Sequence, residues 1–253
     1  MTALLALLPV LNPLQWAGYG TSALLVGVTK TGIPGLGPLI VPLLASVFPA
    51  RASTGVLLPL LIAADVFAVL RYRRHAVWRH LVRMLPWTLG GVVAGWRVLG
   101  AVDDRQLEVM IGLIVLAILA VGAARERWPE ADGAVFSTWW WAALVGLAAG
   151  FTTMVSNAAG PIMTVYLLAM RLPKRAFVGT GAWYYFLLNL VKVPFSVNLG
   201  LITGATLLLD ALALPAIALG ALLGMVALER IPERGFTRSM QALAALAALN
   251  LLL

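Results

Sequence analysis

The chain has 253 residues, 62% of them hydrophobic and 11% charged, with a mean hydropathy of +0.96. Soluble domains run roughly 45–50% apolar and about 25% charged, so a soluble core is excluded for want of a charged shell; the composition is that of an all-α polytopic membrane protein. The net charge of +8 comes without a basic stripe interleaved with aromatics, which excludes a nucleic-acid partner, and zero cysteines exclude disulfides and thiolate chemistry.

The opening MTALLALLPVLNP has no basic region ahead of its apolar run and reads as a lead-in to the first membrane segment, not a cleaved signal. Residues 14–31 are apolar and end in Val28-Thr29-Lys30-Thr31-Gly32-Ile33-Pro34-Gly35. A short apolar piece, 36–48, follows. Thirteen helical residues rise about 20 Å, less than the roughly 30 Å hydrocarbon core, so 14–48 is expected to be a broken or re-entrant hairpin. Next come a span at 55–70 containing Asp65, a basic stretch at 71–83, and a span at 84–100 whose Gly90, Gly91 and Gly95 offer close helix contact. A span at 106–123 ends the first half, and a polar linker, 124–136, divides the chain.

The second half, 137–253, repeats this order. A hairpin at 138–170 breaks at 156–161, and spans follow at 177–197, with Asn189 and Lys192, at 204–228 and at 239–253. Gly27 falls on Gly150, Thr29 on Thr152, Gly37 on Gly160 and Pro38 on Pro161 at an offset of 123. One inserted residue aligns Pro49 with Pro173, Arg51 with Arg175, Gly55 with Gly179 and Asp65 with Asn189; a longer insertion aligns Pro86 with Pro215, Gly91 with Gly220 and Gly95 with Gly224. Each half crosses the membrane an odd number of times whether or not its hairpin spans, so the repeats are expected to be inverted.

Charge tests this independently. With 71–83 placed in the cytoplasm, alternation puts Arg71, Arg73, Arg74, Arg79, Arg83, Arg125, Arg127, Arg171, Lys174, Arg175, Arg230, Arg234 and Arg238 inside. Only Arg51, Arg97 and Arg105 fall outside. This positive-inside bias orients both termini outward.

Lys30 and Lys192 remain in apolar surroundings. A cation there costs roughly 2.5–3.5 kcal/mol on insertion scales and faces a cavity or a partner, unless it snorkels to an interface. At each break a short helix is expected to begin, near Leu36 and near Ala158, with unpaired N–H groups and a positive dipole end. Two such helix starts beside two lysines describe an anion site. Gly35, Gly37, Ala158 and Gly160 would let a ligand approach the backbone, and Thr29, Thr31, Thr152, Thr153, Ser156 and Asn157 would supply hydrogen bonds. Helix packing accounts for the small residues but not for the lysines and Asn157 among them. Asp65 and its counterpart Asn189 are candidates for proton coupling and for a substrate contact, or for a structural pair inside the bundle. Tyr185 is a further candidate contact that an interfacial aromatic belt would also explain. His75 and His80 lie in the basic stretch and are expected to be solvated. No nucleophile with a base is evident.

The two breaks, GVTKTGIPGLGPLIVPLLASVFPARASTG and GFTTMVSNAAGPIMTVYLLAMRLPKRAFVGTGAWYYFLLNLVKVP, resemble those of the TauE/SafE family of sulfite and organosulfonate exporters. The resemblance covers nearly the whole chain, although the family's consecutive glycines are reduced here to Gly35-Leu36-Gly37-Pro38 and Ala158-Ala159-Gly160-Pro161. It implies export of a small sulfur-containing anion such as sulfite or sulfoacetate across the bacterial inner membrane. Alternatives are a transporter of another anion such as a carboxylate, a membrane-embedded enzyme, or a scaffold subunit. The expected partners are a small anionic substrate and the lipid bilayer, with a second copy of the chain as a candidate. No cofactor and no metal ion is expected.

Overall fold

The computed structural model describes residues 9, 11–34, 40, 43–44, 46–98, 138–157 and 159–250, with the backbone alone at 50–51, 156 and 244–250. The described residues form helices and no strand: α1 Pro13–Thr31, α2 Ala50–Tyr72, α3 Trp78–Val98, α4 Trp139–Ser156, α5 Ala159–Ala169, α6 Lys174–Asn198, α7 Gly204–Arg230 and α8 Glu233–Asn250, with a 3₁₀ turn at Arg73–His75. The expected span 106–123, the linker 124–136 and the helix start near Leu36 lie outside the described residues.

Local chemistry sets the ends of these helices. Asn12 and Gln15 close a reciprocal cap on α1: the Asn12 side chain accepts from the Gln15 N–H at 2.9 Å, the Gln15 side chain from the Asn12 N–H at 3.0 Å, and Pro13 opens the helix. Helix α4 stops at Asn157, whose φ of 56° and ψ of 23° are left-handed, a conformation that asparagine tolerates better than most residues. Helix α5 is described from Ala159. At 11 residues α5 is about 16 Å long, too short to cross the hydrocarbon core, and it is buried on nearly every face.

The chain divides into two compact units, residues 1–71 with 185–230 and residues 72–184 with 231–253, so each unit combines segments from both sequence halves. In the first unit α1 packs on α7 through glycines. A methyl group at Gly27 would run into the backbone of Ile217 and Ala221, one at Gly220 into the Leu24 carbonyl, and one at Gly224 into Val28 and Thr31. Thr31 ties the contact by bonding to the Ala221 carbonyl at 2.7 Å. Beneath it lies an apolar core that includes Tyr19, Val26, Leu57, Leu60, Leu209 and Ile217. The opposite face of α7 exposes Leu207, Leu212, Leu219, Leu222 and Leu223, a surface that suits lipid and not water. Among the described residues, Ala52–His75 and Gly204–Arg230 are long and apolar enough to cross a membrane.

In the second unit α3 packs on α4 in the same way. Gly91 approaches the Leu147 carbonyl, Gly95 approaches Phe151 and Met154, and Gly150 approaches Thr88 and Val92. Each of these contacts is the first unit's contact moved by the sequence offsets, Gly91–Leu147 standing for Gly220–Leu24. Replacing Gly91 or Gly220 by alanine therefore forces two backbones apart. The expected cost is about 1–3 kcal/mol, read as a lower thermal midpoint. Gly204→Ala, where open space surrounds the glycine, leaves the midpoint unchanged.

The basic stretch 71–83 is largely helical. It is the end of α2, the 3₁₀ turn and the first turns of α3, because these helices continue past their apolar portions. His75 is exposed as expected, but His80 is half-buried, its Nδ1 lying 3.2 Å from the Tyr166 hydroxyl. Burial, and then Arg79 and Arg83, hold the His80 pKa below the ordinary histidine value.

Candidate functional site

Helix α1 ends one residue past Lys30. Gly32 closes it, donating to the Val28 carbonyl at 2.9 Å, and has no side chain because the Gly224 backbone presses against it. Lys30 thus sits in the last helical turn, where the dipole favours a cation. On α6, Tyr185, Asn189 and Lys192 are spaced four and three residues apart and share one helix face. Asp65 lies inside α2.

These elements bring one polar cluster together within the first unit. Lys30 Nζ lies 2.8 Å from Asp65 Oδ1, an ion pair and not an aligned hydrogen bond. Asn189 Nδ2 donates to Asp65 Oδ2 at 2.7 Å. The Lys30 ammonium also sits 4.2 Å from the centre of the Tyr185 ring, a cation–π contact. Lys192 lies within Coulombic reach of both Lys30 and Asp65. Asp65 is fully buried, and Asn189 and Lys192 are each 2% exposed. Among the described residues, two lysines and one aspartate thus share a buried site whose formal charges sum to +1. Burying such a sum is costly, and a monoanion would cancel it.

The hydroxyls expected to serve the site divide into two kinds. Thr29 Oγ1 is shielded from solvent and has no partner among the described residues, so it is available to a ligand. Thr31 directs its single proton to the Gly27 and Ala221 carbonyls, and Thr152 directs its own to Ala148 and Ala149. Both are occupied in holding helix backbone. Thr152 and Thr153 are buried on α4 in the second unit. There Asn157 makes the left-handed turn, and a Cβ added at Gly160 would meet no atom of the described residues. Ser156 ends α4 with only its backbone described, and Gly35, Gly37 and Ala158 lie outside the described residues.

One buried acid was not singled out in the sequence. Asp210 on α7 is 5% exposed, and the Tyr19 hydroxyl donates to its Oδ1 at 2.8 Å. The signal was present as a lone carboxylate in the apolar run 204–228, and an ionisable residue inside a span is a functional candidate by default.

A family model described as "Sulfite exporter TauE/SafE" matches residues 19–251. No curated protein and no solved structure matches the chain.

Proposed function

The chain belongs to the TauE/SafE sulfite exporter family and is a membrane transporter, and from that premise we propose that it exports a small sulfur-containing anion, sulfite or an organosulfonate such as sulfoacetate. The observation that carries this reading is the buried Lys30–Asp65–Asn189–Lys192 cluster with its formal sum of +1. In this reading Lys30 and Lys192 together attract the anion, and Thr29 and Tyr185 line the site. Asp65 acts as the fixed counter-charge of Lys30, in place of the proton coupling expected of it. The second break, with Thr153, Ser156, Asn157, Ala158 and Gly160, keeps its proposed part in orienting the anion's oxygens, as do Gly35 and Gly37 at the first.

We take the two halves to be inverted repeats that alternate access to the site by rocking, with 71–83 in the cytoplasm of a bacterial inner-membrane protein and both termini outside. Two observations support the repeat. The glycine contacts of α1 with α7 recur, at corresponding residues, in those of α3 with α4. Asp65 is also hydrogen-bonded to Asn189, its own counterpart in the sequence repeat. An inside-negative potential drives a monoanion outward by roughly 2.3 kcal/mol per 100 mV, so export needs no second ion.

The test is thermal stabilisation of the purified protein by sulfite, sulfoacetate, isethionate, sulfate and acetate, followed by efflux from vesicles. A ligand at a hundred times its Kd stabilises by about 2.7 kcal/mol. Stabilisation and efflux specific to the sulfur anions are expected. A response to acetate alone would transfer the site to carboxylates, and turnover of a substrate without a gradient or transport would favour an enzyme.

A further inference from the structure

We infer that Asp210, held by Tyr19, is a proton-binding site of the transport cycle; the coupling half of this inference rests on the transport reading above, and the proton site itself does not. Asp210 Oδ1 accepts one hydrogen bond, from Tyr19, and Oδ2 is buried with no partner among the described residues. The contrast with Asp65 is direct. Asp65 has an ammonium group on one oxygen and an amide on the other; Asp210 has one neutral hydroxyl.

Among the described residues, the surroundings of Asp210 offer no replacement for that missing charge. From α1 the facing titratable group is Tyr19, whose ring packs edge-on against Phe48. From α2 the neighbouring core presents Val56, Leu57, Leu60 and Ala64, and α7 itself adds Leu209, Ala213 and Ile217. The intervening sequence 35–48 contains no charged residue. A carboxylate sealed in such a place is costly, and a neutral acid is much less so. One proton taken from water on Oδ2 forms one O–H bond and removes the charge, so closing α1 over α7 binds a proton and opening this contact to water releases it. Tyr19 is the positioning residue, keeping the carboxyl turned inward as the helices close.

The geometry also distinguishes this site from a purely structural hydrogen bond. A structural acceptor for Tyr19 could be any neutral oxygen, and an amide would serve without a second unsatisfied atom that can ionise. The proton site and the anion cluster use different residues of the same unit, Tyr19 and Asp210 against Lys30, Asp65, Asn189 and Lys192. Removing the proton site should therefore uncouple proton movement from anion movement and leave the anion cluster intact.

The experiment uses the full chain in lipid vesicles. The infrared difference between the native protein and Asp210→Asn, taken at neutral pH, is expected to contain the carbonyl absorption of a protonated carboxyl group that is lost in the variant. A difference containing only ionised-carboxylate bands overturns the proton site. If Asp210→Asn does not fold, Tyr19→Phe replaces it: loss of the hydrogen bond shifts the acid band, and an unshifted band overturns the assignment. Transport is then read with isethionate, a sulfonate that does not itself titrate near neutral pH. The native protein should move protons with isethionate, while Asp210→Asn keeps potential-driven isethionate flux and loses the proton signal. An undiminished proton signal in the variant overturns the coupling. Native vesicles that move no sulfonate refute the export reading and with it the coupling, and the infrared difference still decides whether Asp210 holds a proton.

Discussion

Lys192→Met removes most of the anion affinity and most of the efflux while leaving the chain folded. The cluster loses its net charge in this variant, because Lys30 and Asp65 cancel one another across 2.8 Å. An ammonium about 4 Å from an anion contributes roughly 4 kcal/mol at an effective dielectric constant of about 20. With about 1.4 kcal/mol for each factor of ten, the expected loss lies between about tenfold and several hundredfold, read as the sulfite concentration needed for half-maximal stabilisation and as initial efflux rate. Stability should hold or rise, since the ammonium is 2% exposed and a buried cation is itself a cost. Lys192→Arg restores part of the affinity, for the charge returns on a larger and planar group. Unchanged sulfite affinity in Lys192→Met would show that the anion's charge is balanced elsewhere.

Asp65→Asn has the largest expected effect on stability. Its carboxylate is fully buried between Lys30 and Asn189, with Lys192 near by. Neutralising it strands Lys30 and leaves two like charges in one dry site. Breaking a buried pair from one side costs about 3–5 kcal/mol, which shows as a large fall in thermal midpoint. Lys30→Met introduced with Asp65→Asn should recover most of that loss, because removing both partners of a buried pair is often nearly neutral. The double-mutant cycle measures this coupling directly. If Asp65→Asn costs less than about 1 kcal/mol, the pair is no stronger than an exposed one, and the charge arithmetic of the site fails.

Much of this was legible in the sequence, for identifiable reasons. Lys30, Lys192 and Asp65 stand out because a charge inside an apolar run has few explanations. The break at Asn157 was readable because Ser, Asn, Gly and Pro interrupt a helix in known ways, and the structure places the turn there. Gly91 and Gly220, paired by the expected register, each meet a neighbouring helix backbone, at Leu147 and at Leu24.

What was not legible depends on partners distant in sequence or on rotamers. Nothing in the types Thr29, Thr31 and Thr152 says that the last two direct their protons to carbonyls while the first does not. Asp210 has its meaning only beside Tyr19, 191 residues away. The ends of α2 and α3 were set too short because hydropathy registers only the apolar part of a helix that continues into basic residues.

The hydrogen bond between Asp65 and Asn189 carries a consequence for how such a chain could arise. In the proposed repeat register the two residues occupy corresponding positions. Had the halves been separate identical subunits, that contact would have joined a residue to its own copy, as happens on the two-fold axis of an isologous interface. Two aspartates facing one another would repel, and two asparagines would leave Lys30 without a counter-ion. An unlike pair satisfies both the hydrogen bond and the charge, and joining the proposed repeats in one chain lets the two positions differ. On the proposed repeat, covalent joining of the halves would release this one contact from the identity that symmetry imposes.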